Sequence, residues 1–413
     1  MEGNFLIKSN RILTPEGFLK GGIVVSGRKI RRILTSDDEI SRFSGKTIAA
    51  EENIVLPGLI DIHIHGCGGW TTEGKDIGDI LGLVKYLPSQ GITAFQPTIG
   101  TGTKEGLKNS LRDISGIIKR GCPGARILGV HMEGPFLNKN RKGAYEESRL
   151  LMPSVDLMRE FIEASDNNII HVTLAPELEG AKELIAYLYN RNILVAGGHT
   201  DAAFHETIEA IDQGVRLSNH TCNAQRAIHH REPGAIAAYL LDDRADCEVI
   251  CDFFHVHPAM IKLIVKNKSV NRICMISDSG FSSCIEPGKY NFSNMIVNID
   301  KEGWCRLPDG TIAGSTKNLM FGFKNMVKIL GYSMENVSRM ASYNPARVSG
   351  FERTKGTVEV GKDADLLIVD DDFNVRYTFV EGRTMFDFER TDIMGNPAIT
   401  NYKIGGIPCI QEI

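Results

Sequence analysis

Eight short runs of β-forming, mostly apolar residues recur through the middle of the chain, at 60–65, 94–98, 126–133, 169–175, 193–199, 216–220, 248–255 and 273–278. Segments of helical length and apolar spacing separate many of them, at 76–89, 104–119, 155–164, 180–190 and 205–213, and two more follow at 318–330 and 333–349. Strands that are apolar throughout need cover on both faces, which amphipathic helices between parallel strands provide. Eight such units predict a (β/α)8 TIM barrel.

The two ends of the chain read differently. Short alternating strands at 5–7, 22–26, 29–34 and 47–49 cannot bury a core alone, and matching strands lie at 366–369, 375–380 and 383–385. Together they predict a small β-sandwich domain assembled from 1–55 and 354–413, with the barrel, 56–353, inserted between them. The tail from 396 to 413, with its Gly405-Gly406 pair, is assigned to no element.

Composition narrows the function classes. The 413 residues carry a net charge of −4, so no basic excess draws the chain to nucleic acid or to an anionic membrane. No stretch has the length of a membrane span, the first ten residues lack a signal-peptide pattern, and the nine cysteines contain no CxxC pair. A cytoplasmic enzyme with reduced, mostly buried thiols and a small ligand is expected.

Ligand-type residues gather at the ends of these runs: His63 and His65, Glu133, His199, His220, His255 and Asp278. In a (β/α)8 barrel the C-terminal strand ends share one mouth, so residues more than two hundred positions apart meet there. His63 and His65 are two apart and point to the same side of a strand, where two imidazoles can hold one cation. The fourth run has no lysine that could be carboxylated to bridge two ions, which leaves Glu133 for that role. Glu133, His199 and His220 complete a site with a position open to water, and Asp278 is placed to exchange a proton. The ligand types suit zinc, iron, manganese or cobalt, as one or two divalent ions.

Longer motifs extend this reading: Pro57-Gly58-Leu59-Ile60-Asp61-Ile62-His63-Ile64-His65-Gly66, His131-Met132-Glu133-Gly134-Pro135-Phe136, Gly198-His199-Thr200-Asp201-Ala202, Asn223-Ala224, His229-His230-Arg231-Glu232-Pro233-Gly234, His255-Val256-His257-Pro258 and Ala313-Gly314-Ser315. In this combination the chain resembles the N-acetylglucosamine-6-phosphate deacetylases of the amidohydrolase superfamily. The resemblance implies hydrolysis of the acetamido group of an amino sugar phosphate by a homodimer. It implies a catalytic metal on Glu133, His199 and His220, a second ion where His63 and His65 are present, and Asp278 as acid and base. His255 would contact the sugar and polarise the amide. Ala144, Tyr145, Asn223, Ala224, Arg231, Ala313, Gly314 and Ser315 would line the substrate site, with Arg231 on the phosphate, in one version from the partner subunit.

Departures from the family pattern fall at Tyr145, Gln225, Phe253 and the Ser279-Gly280-Phe281 run, near the expected sugar pocket. They leave open the same chemistry on N-acetylgalactosamine 6-phosphate or another N-acyl amino sugar. A cyclic-amide or deaminating relative fits less well, because the HREPG segment is present and the strand-four lysine is not. A non-catalytic barrel would have no reason to keep these converging ligands.

Overall fold

The computed structural model describes residues 4–73, 77–100, 102–292, 295–390 and 411–412. Eight parallel strands form the barrel: Leu59–Ile64, Ile92–Ile99, Val130–Glu133 (preceded by Arg126–Ile127), Ile169–Leu174, Leu194–Gly197, Val215–Ser218, Asp246–Ile250 and Ile273–Ile276. Closure is made by hydrogen bonds, from the Asp278 N–H to the His63 carbonyl (3.0 Å) and from the His65 and Gly66 N–H groups to the Ser279 carbonyl (2.8 and 2.9 Å). The expected barrel is the fold of this chain.

Alternation along the strands separates two cores. In the third strand Val130 and Met132 turn outward to the helices, in one large cluster with Leu111, Phe161 and Leu188. A second cluster, with Ile60, Ile62, Ala94, Leu217, Ile250 and Ile276, fills the barrel interior. Each fully buried side chain of this size contributes roughly 1.5–3 kcal/mol. The helices Lys104–Arg120, Val155–Ala164, Ala181–Asn190 and Phe204–Gln213 follow the predicted segments within a residue. Two further helices, Gly234–Leu241 and Pro258–Lys268, escaped the sequence reading. The first predicted helix runs Ile77–Tyr86 and tightens to a 3-10 turn at Leu87–Gln90; its expected first residue, Asp76, lies outside the described residues.

Strands from both ends join in one sheet, ordered Arg383–Asp387, Val375–Val380, Leu366–Val369, Ile54–Pro57, Asn4–Thr14, Gly17–Ser26, Lys29–Leu34, with Lys46–Ala49 also on Asn4–Thr14. The sheet curls until the Ile30 N–H reaches the Lys362 carbonyl (3.0 Å) and the Ala364 N–H the Arg28 carbonyl (2.8 Å). Phe5, Ile7, Ile23, Val25, Leu366, Ile368 and Phe379 fill the space so enclosed. A small sheet absent from the sequence reading follows the eighth barrel strand, with Gly288–Phe292, Met295–Ile299, Cys305–Arg306 and Gln411–Glu412. Apart from that last pair, the tail 396–413 lies outside the described residues. No helix among the described residues is long and apolar enough to cross a membrane.

A buried ion cluster links the barrel to the curled sheet. Lys355, 4% exposed, donates to Asp363 (3.1 Å) and Asp365 (2.6 Å), and the Asp365 carbonyl receives the N–H of Gly58 at the root of the first barrel strand (2.9 Å). Breaking a buried pair by removing one partner costs about 3–5 kcal/mol, more than removing both. Lys355→Met is therefore expected to lower stability by that amount in guanidinium chloride unfolding, and Lys355→Met with Asp365→Asn to recover part of it. Equal losses in the two variants would mean that Lys355 acts through packing alone.

Candidate active site

The ligand-type side chains meet because the chain turns sharply where the strands end. His63 lies within the first strand and Glu133 closes the third, but His199, His220 and Asp278 each stand two residues beyond the last residue of their strands. All three adopt positive φ, 45°, 24° and 47°, a left-handed conformation that costs a non-glycine residue about 1–3 kcal/mol. The strands are thus shorter than the sequence reading gave them. These turns aim the three side chains inward over the barrel mouth.

The Glu133 carboxylate is the centre. His220 Nε2 and His199 Nε2 lie 2.9 and 3.2 Å from its Oε1, with His63 Nε2 at 3.4 Å from the same oxygen and His65 Nε2 at 3.1 Å from Oε2. Asn219 Nδ2 donates to Oε1 (2.8 Å), and the Tyr145 hydroxyl donates to Oε2. Asp278 Oδ1 stands 3.4 Å from His63 Nε2 and 3.5 Å from His65 Nε2. Burial pushes the Glu133 carboxyl up, but the imidazoles of His63, His199 and His220 outweigh it and hold the group well below the usual carboxylate range. Burial likewise lowers His63, and Glu133, Asp278 and Glu248 outweigh it, so that its basicity is raised well above that of free imidazole.

The donor set fits divalent cations. Two overlapping groups, His63 with His65 and Glu133, and Glu133 with His199 and His220, have ligand atoms within 4.8 Å of one another. His199 Nδ1 faces the Arg141 carbonyl at 2.8 Å, so its proton sits there and the Nε2 lone pair is free to ligate. His63 Nδ1 faces the Glu248 carboxylate at 3.1 Å, which turns its Nε2 to the centre, where that buried nitrogen has no hydrogen-bond partner. The His199 and His220 Nε2 atoms are 3.0 Å apart, a spacing that suits two lone pairs converging on a shared ion.

Beyond this centre the predicted residues separate. His255 is anchored through Nδ1 to Asp252 Oδ2 (2.7 Å), which also accepts from the Ser315 hydroxyl (2.8 Å). Ser315 is therefore committed to Asp252, and its N–H donates to the Asp278 carbonyl (2.9 Å). Ala313 and Gly314 precede it, half-buried, with Gly314 at φ 72°. Asn223 donates to the His220 carbonyl (3.1 Å), and the Ala224 carbonyl receives the Thr200 N–H (3.1 Å). Ala144 and Tyr145 are half-buried beside Glu133. Arg231 is exposed, with Nη1 2.6 Å from His230 Nε2, outside the cluster. Gln225 braces Asn219 and Ser218 (3.0 and 3.2 Å).

Several supporting residues escaped the sequence reading. Asn219 accepts from Thr173 (3.1 Å), whose hydroxyl meets His131 Nε2 (2.8 Å), so a buried polar chain orients Glu133 from below. Gly198 leaves room for Asn219, since a Cβ there would strike its side chain. Glu248 and Asp252 hold His63 and His255. Only Asp252, three residues before His255, carried a local signal. Trp304, from the small added sheet, packs edge-on against Phe254, with ring centroids 5.0 Å apart.

Comparison with known proteins agrees with this geometry. The model of the amidohydrolase family matches residues 54–385. The chain belongs to the amidohydrolase family. Among amidohydrolases it is 34% identical to an N-acetylglucosamine-6-phosphate deacetylase of Vibrio furnissii, over 81% of this chain and 83% of that protein. It is 30% identical to an N-acetylgalactosamine-6-phosphate deacetylase of Escherichia coli O157:H7, over 92% and 98%. The crystal structure of N-acetylglucosamine-6-phosphate deacetylase from Pasteurella multocida superposes with a TM-score of 0.86 at 28% identity, covering 92% of this chain and 99% of that one. The resemblance read from the motifs is borne out, and an amidohydrolase of this kind is a metal-dependent hydrolase of a carbon–nitrogen bond.

Because Glu133 belongs to both groups, Glu133→Ala is expected to release every bound ion. His65→Ala leaves the Glu133, His199 and His220 group intact and is expected to retain one. Elemental analysis of the dialysed variants checks this, and full metal content in Glu133→Ala would exclude the shared-ligand arrangement. A second prediction concerns His255: burial lowers its basicity, but the hydrogen bond and charge of Asp252 outweigh that and raise it above the usual value. Asp252→Asn removes the anion, so the His255 pKa measured by NMR titration should fall; an unchanged value would mean that Asp252 only positions the ring.

Proposed function

We propose that this amidohydrolase hydrolyses the acetamido group of N-acetylglucosamine 6-phosphate, giving glucosamine 6-phosphate and acetate. The observation that carries the reading is the Asp278 carboxylate poised beside the Glu133-centred imidazole cluster, a proton acceptor next to a set of metal ligands. Relatives bearing the deacetylase name, matched over most of their length, supply the substrate class.

In this reading Glu133, His199 and His220 hold one divalent ion, and His63 and His65 share Glu133 with a second. Zinc, iron, manganese and cobalt all suit these ligands. Such an ion supplies Lewis acidity, polarising a carbonyl and lowering the pKa of a water. Asp278 takes the proton of the attacking water and returns it to the departing amine nitrogen. His255, with Nδ1 fixed on Asp252, turns Nε2 to the acetamido carbonyl and orients it. Tyr145, Ala144, Asn223, Ala224 and the Ala313-Gly314-Ser315 segment border the sugar.

Arg231 offers a planar fork of donors to the phosphate. Its exposure, outside the cluster, favours delivery across a homodimer interface into the partner's site. We assign the chain to the cytoplasm on the same reading, and take 1–55 with 354–413 as the small β domain and 56–353 as the barrel, a division supported by an apolar core built from residues of the two end segments alone. The galacto epimer is the second reading, favoured by the relative named for it and by the departures at Tyr145 and Phe253.

Acetate release from both epimeric phosphates and from the unphosphorylated sugar tests the proposal. Fast turnover of the gluco phosphate is expected, with kcat reduced about 100- to 10,000-fold by Asp278→Asn; turnover of neither phosphate by the metal-loaded protein would refute it. Arg231→Ala should raise KM for the phosphorylated sugar roughly ten- to a hundredfold, the worth of a charged hydrogen bond, and leave the unphosphorylated sugar unaffected. A loss equal for both would place Arg231 away from the phosphate.

A further inference from the structure

Two thiols meet behind the candidate active site, on loops the chemistry above does not use. Cys67 follows the first barrel strand and is fully buried; Cys284 follows the eighth and is exposed. Their sulfurs are 3.8 Å apart, with Cys67 as donor. The two loops are fastened together by backbone, the Gly68 N–H to the Ser283 carbonyl (2.8 Å) and the Gly69 N–H to the Phe281 carbonyl (2.9 Å). Cys284 is held at φ 60°, a left-handed conformation unusual for a side-chain-bearing residue. It opens on a cavity of about 240 Å³ that Lys317, Asn318 and Lys301 also line.

We propose that Cys284 is a peroxide-reactive cysteine and that Cys67 resolves it to a Cys67–Cys284 disulfide. The division of labour follows from position. A hydroperoxide reaches Cys284 through the open cavity, whereas Cys67 is enclosed, its thiol turned to the partner sulfur and the Ser283 hydroxyl (3.7 Å). Asn318 Nδ2 (3.6 Å) and Ser283 Oγ (3.6 Å) also touch the Cys284 sulfur, which in its thiol form donates to Gln90 Oε1 (3.6 Å). The hydrogen bond from Cys67, then those from Ser283 and Asn318 and the charge of Lys317, outweigh the partial desolvation of the sulfur by its neighbours and bring the Cys284 thiol down to about 7, which favours the nucleophilic thiolate near neutral pH.

The Cys284 sulfur attacks one oxygen of hydrogen peroxide; an S–O bond forms, the O–O bond breaks, and the departing hydroxide takes up a proton as water. The sulfur is thereby oxidised by two electrons to a sulfenic acid. Cys67 then attacks that sulfur, forming the S–S bond and breaking the S–O bond, and its own proton leaves with the hydroxide as a second water. One peroxide and two thiols give one disulfide and two waters. A disulfide needs sulfurs about 2.05 Å apart, a short approach between loops already in register. The crosslink joins a position two residues past His65 to one six residues past Asp278, tying together the strand ends that flank the candidate metal centre.

The test treats the full-length, metal-loaded protein with hydrogen peroxide, blocks remaining thiols with an alkylating agent, and maps cysteines by mass spectrometry before and after dithiothreitol. The expected result is loss of two thiols per chain and a peptide linking Cys67 to Cys284, both reversed by the reductant. In Cys67→Ser, oxidation should stop at Cys284 as a sulfenic acid trapped by dimedone; should that variant fail to fold, the wild-type map decides alone. Oxidation that takes the half-buried Cys122 or Cys222 before Cys284, or that leaves Cys67 and Cys284 unlinked, would overturn the proposal.

Discussion

A single buried carboxylate organises the mouth of this barrel. Glu133 is 2% exposed, and an ionised carboxylate so enclosed is tolerable only when its oxygens are met by donors or cations. Four imidazoles, an amide and a phenol converge on it, drawn from three different strand ends and one loop. Parallel closure makes this possible, because only a barrel brings so many C-terminal strand ends to one point. The same crowding is unfavourable without positive charge at the centre, which is why the donor set calls for divalent ions.

The rest of the mouth is arranged to keep that centre rigid. Second contacts fix three of the imidazoles: Glu248 behind His63, the Arg141 carbonyl behind His199, Asp252 behind His255. Such partners set the tautomer and so decide which nitrogen faces the ion. Beneath them, His131, Thr173 and Asn219 pass hydrogen bonds to Glu133, and an apolar plug around Ile62, Leu217 and Ile276 closes the barrel below. The strained turns at His199, His220 and Asp278 are affordable on so firm a base.

The small added sheet changes the surroundings more than the centre. Trp304 rests on Phe254, next to His255, and Lys317 lies over the same ring at 5.7 Å. The loop leading into this sheet carries Cys284 to Cys67. The aromatic packing beside His255 and the cavity at the thiol pair thus share one inserted segment, whereas the metal-type residues are carried by the barrel itself.

Much of this was legible in the residues. Eight apolar runs and the helices between them determined the barrel, because strands buried on both faces leave a pattern that few other folds produce, and the short strands at the two ends announced the second sheet. The His63-His65 pair, Glu133 in its His-Met-Glu-Gly-Pro setting and Asp278 at the last strand pointed to the centre, since such polar residues at the ends of apolar strands have no core role. What the tertiary structure alone decided were the contacts between distant segments. Glu248 against His63, Asn219 against Glu133, Ser315 against Asp252 and Cys67 against Cys284 join positions 63 to 217 residues apart. No local pattern encodes such pairs, because they arise only when the barrel closes and its loops fold over one mouth.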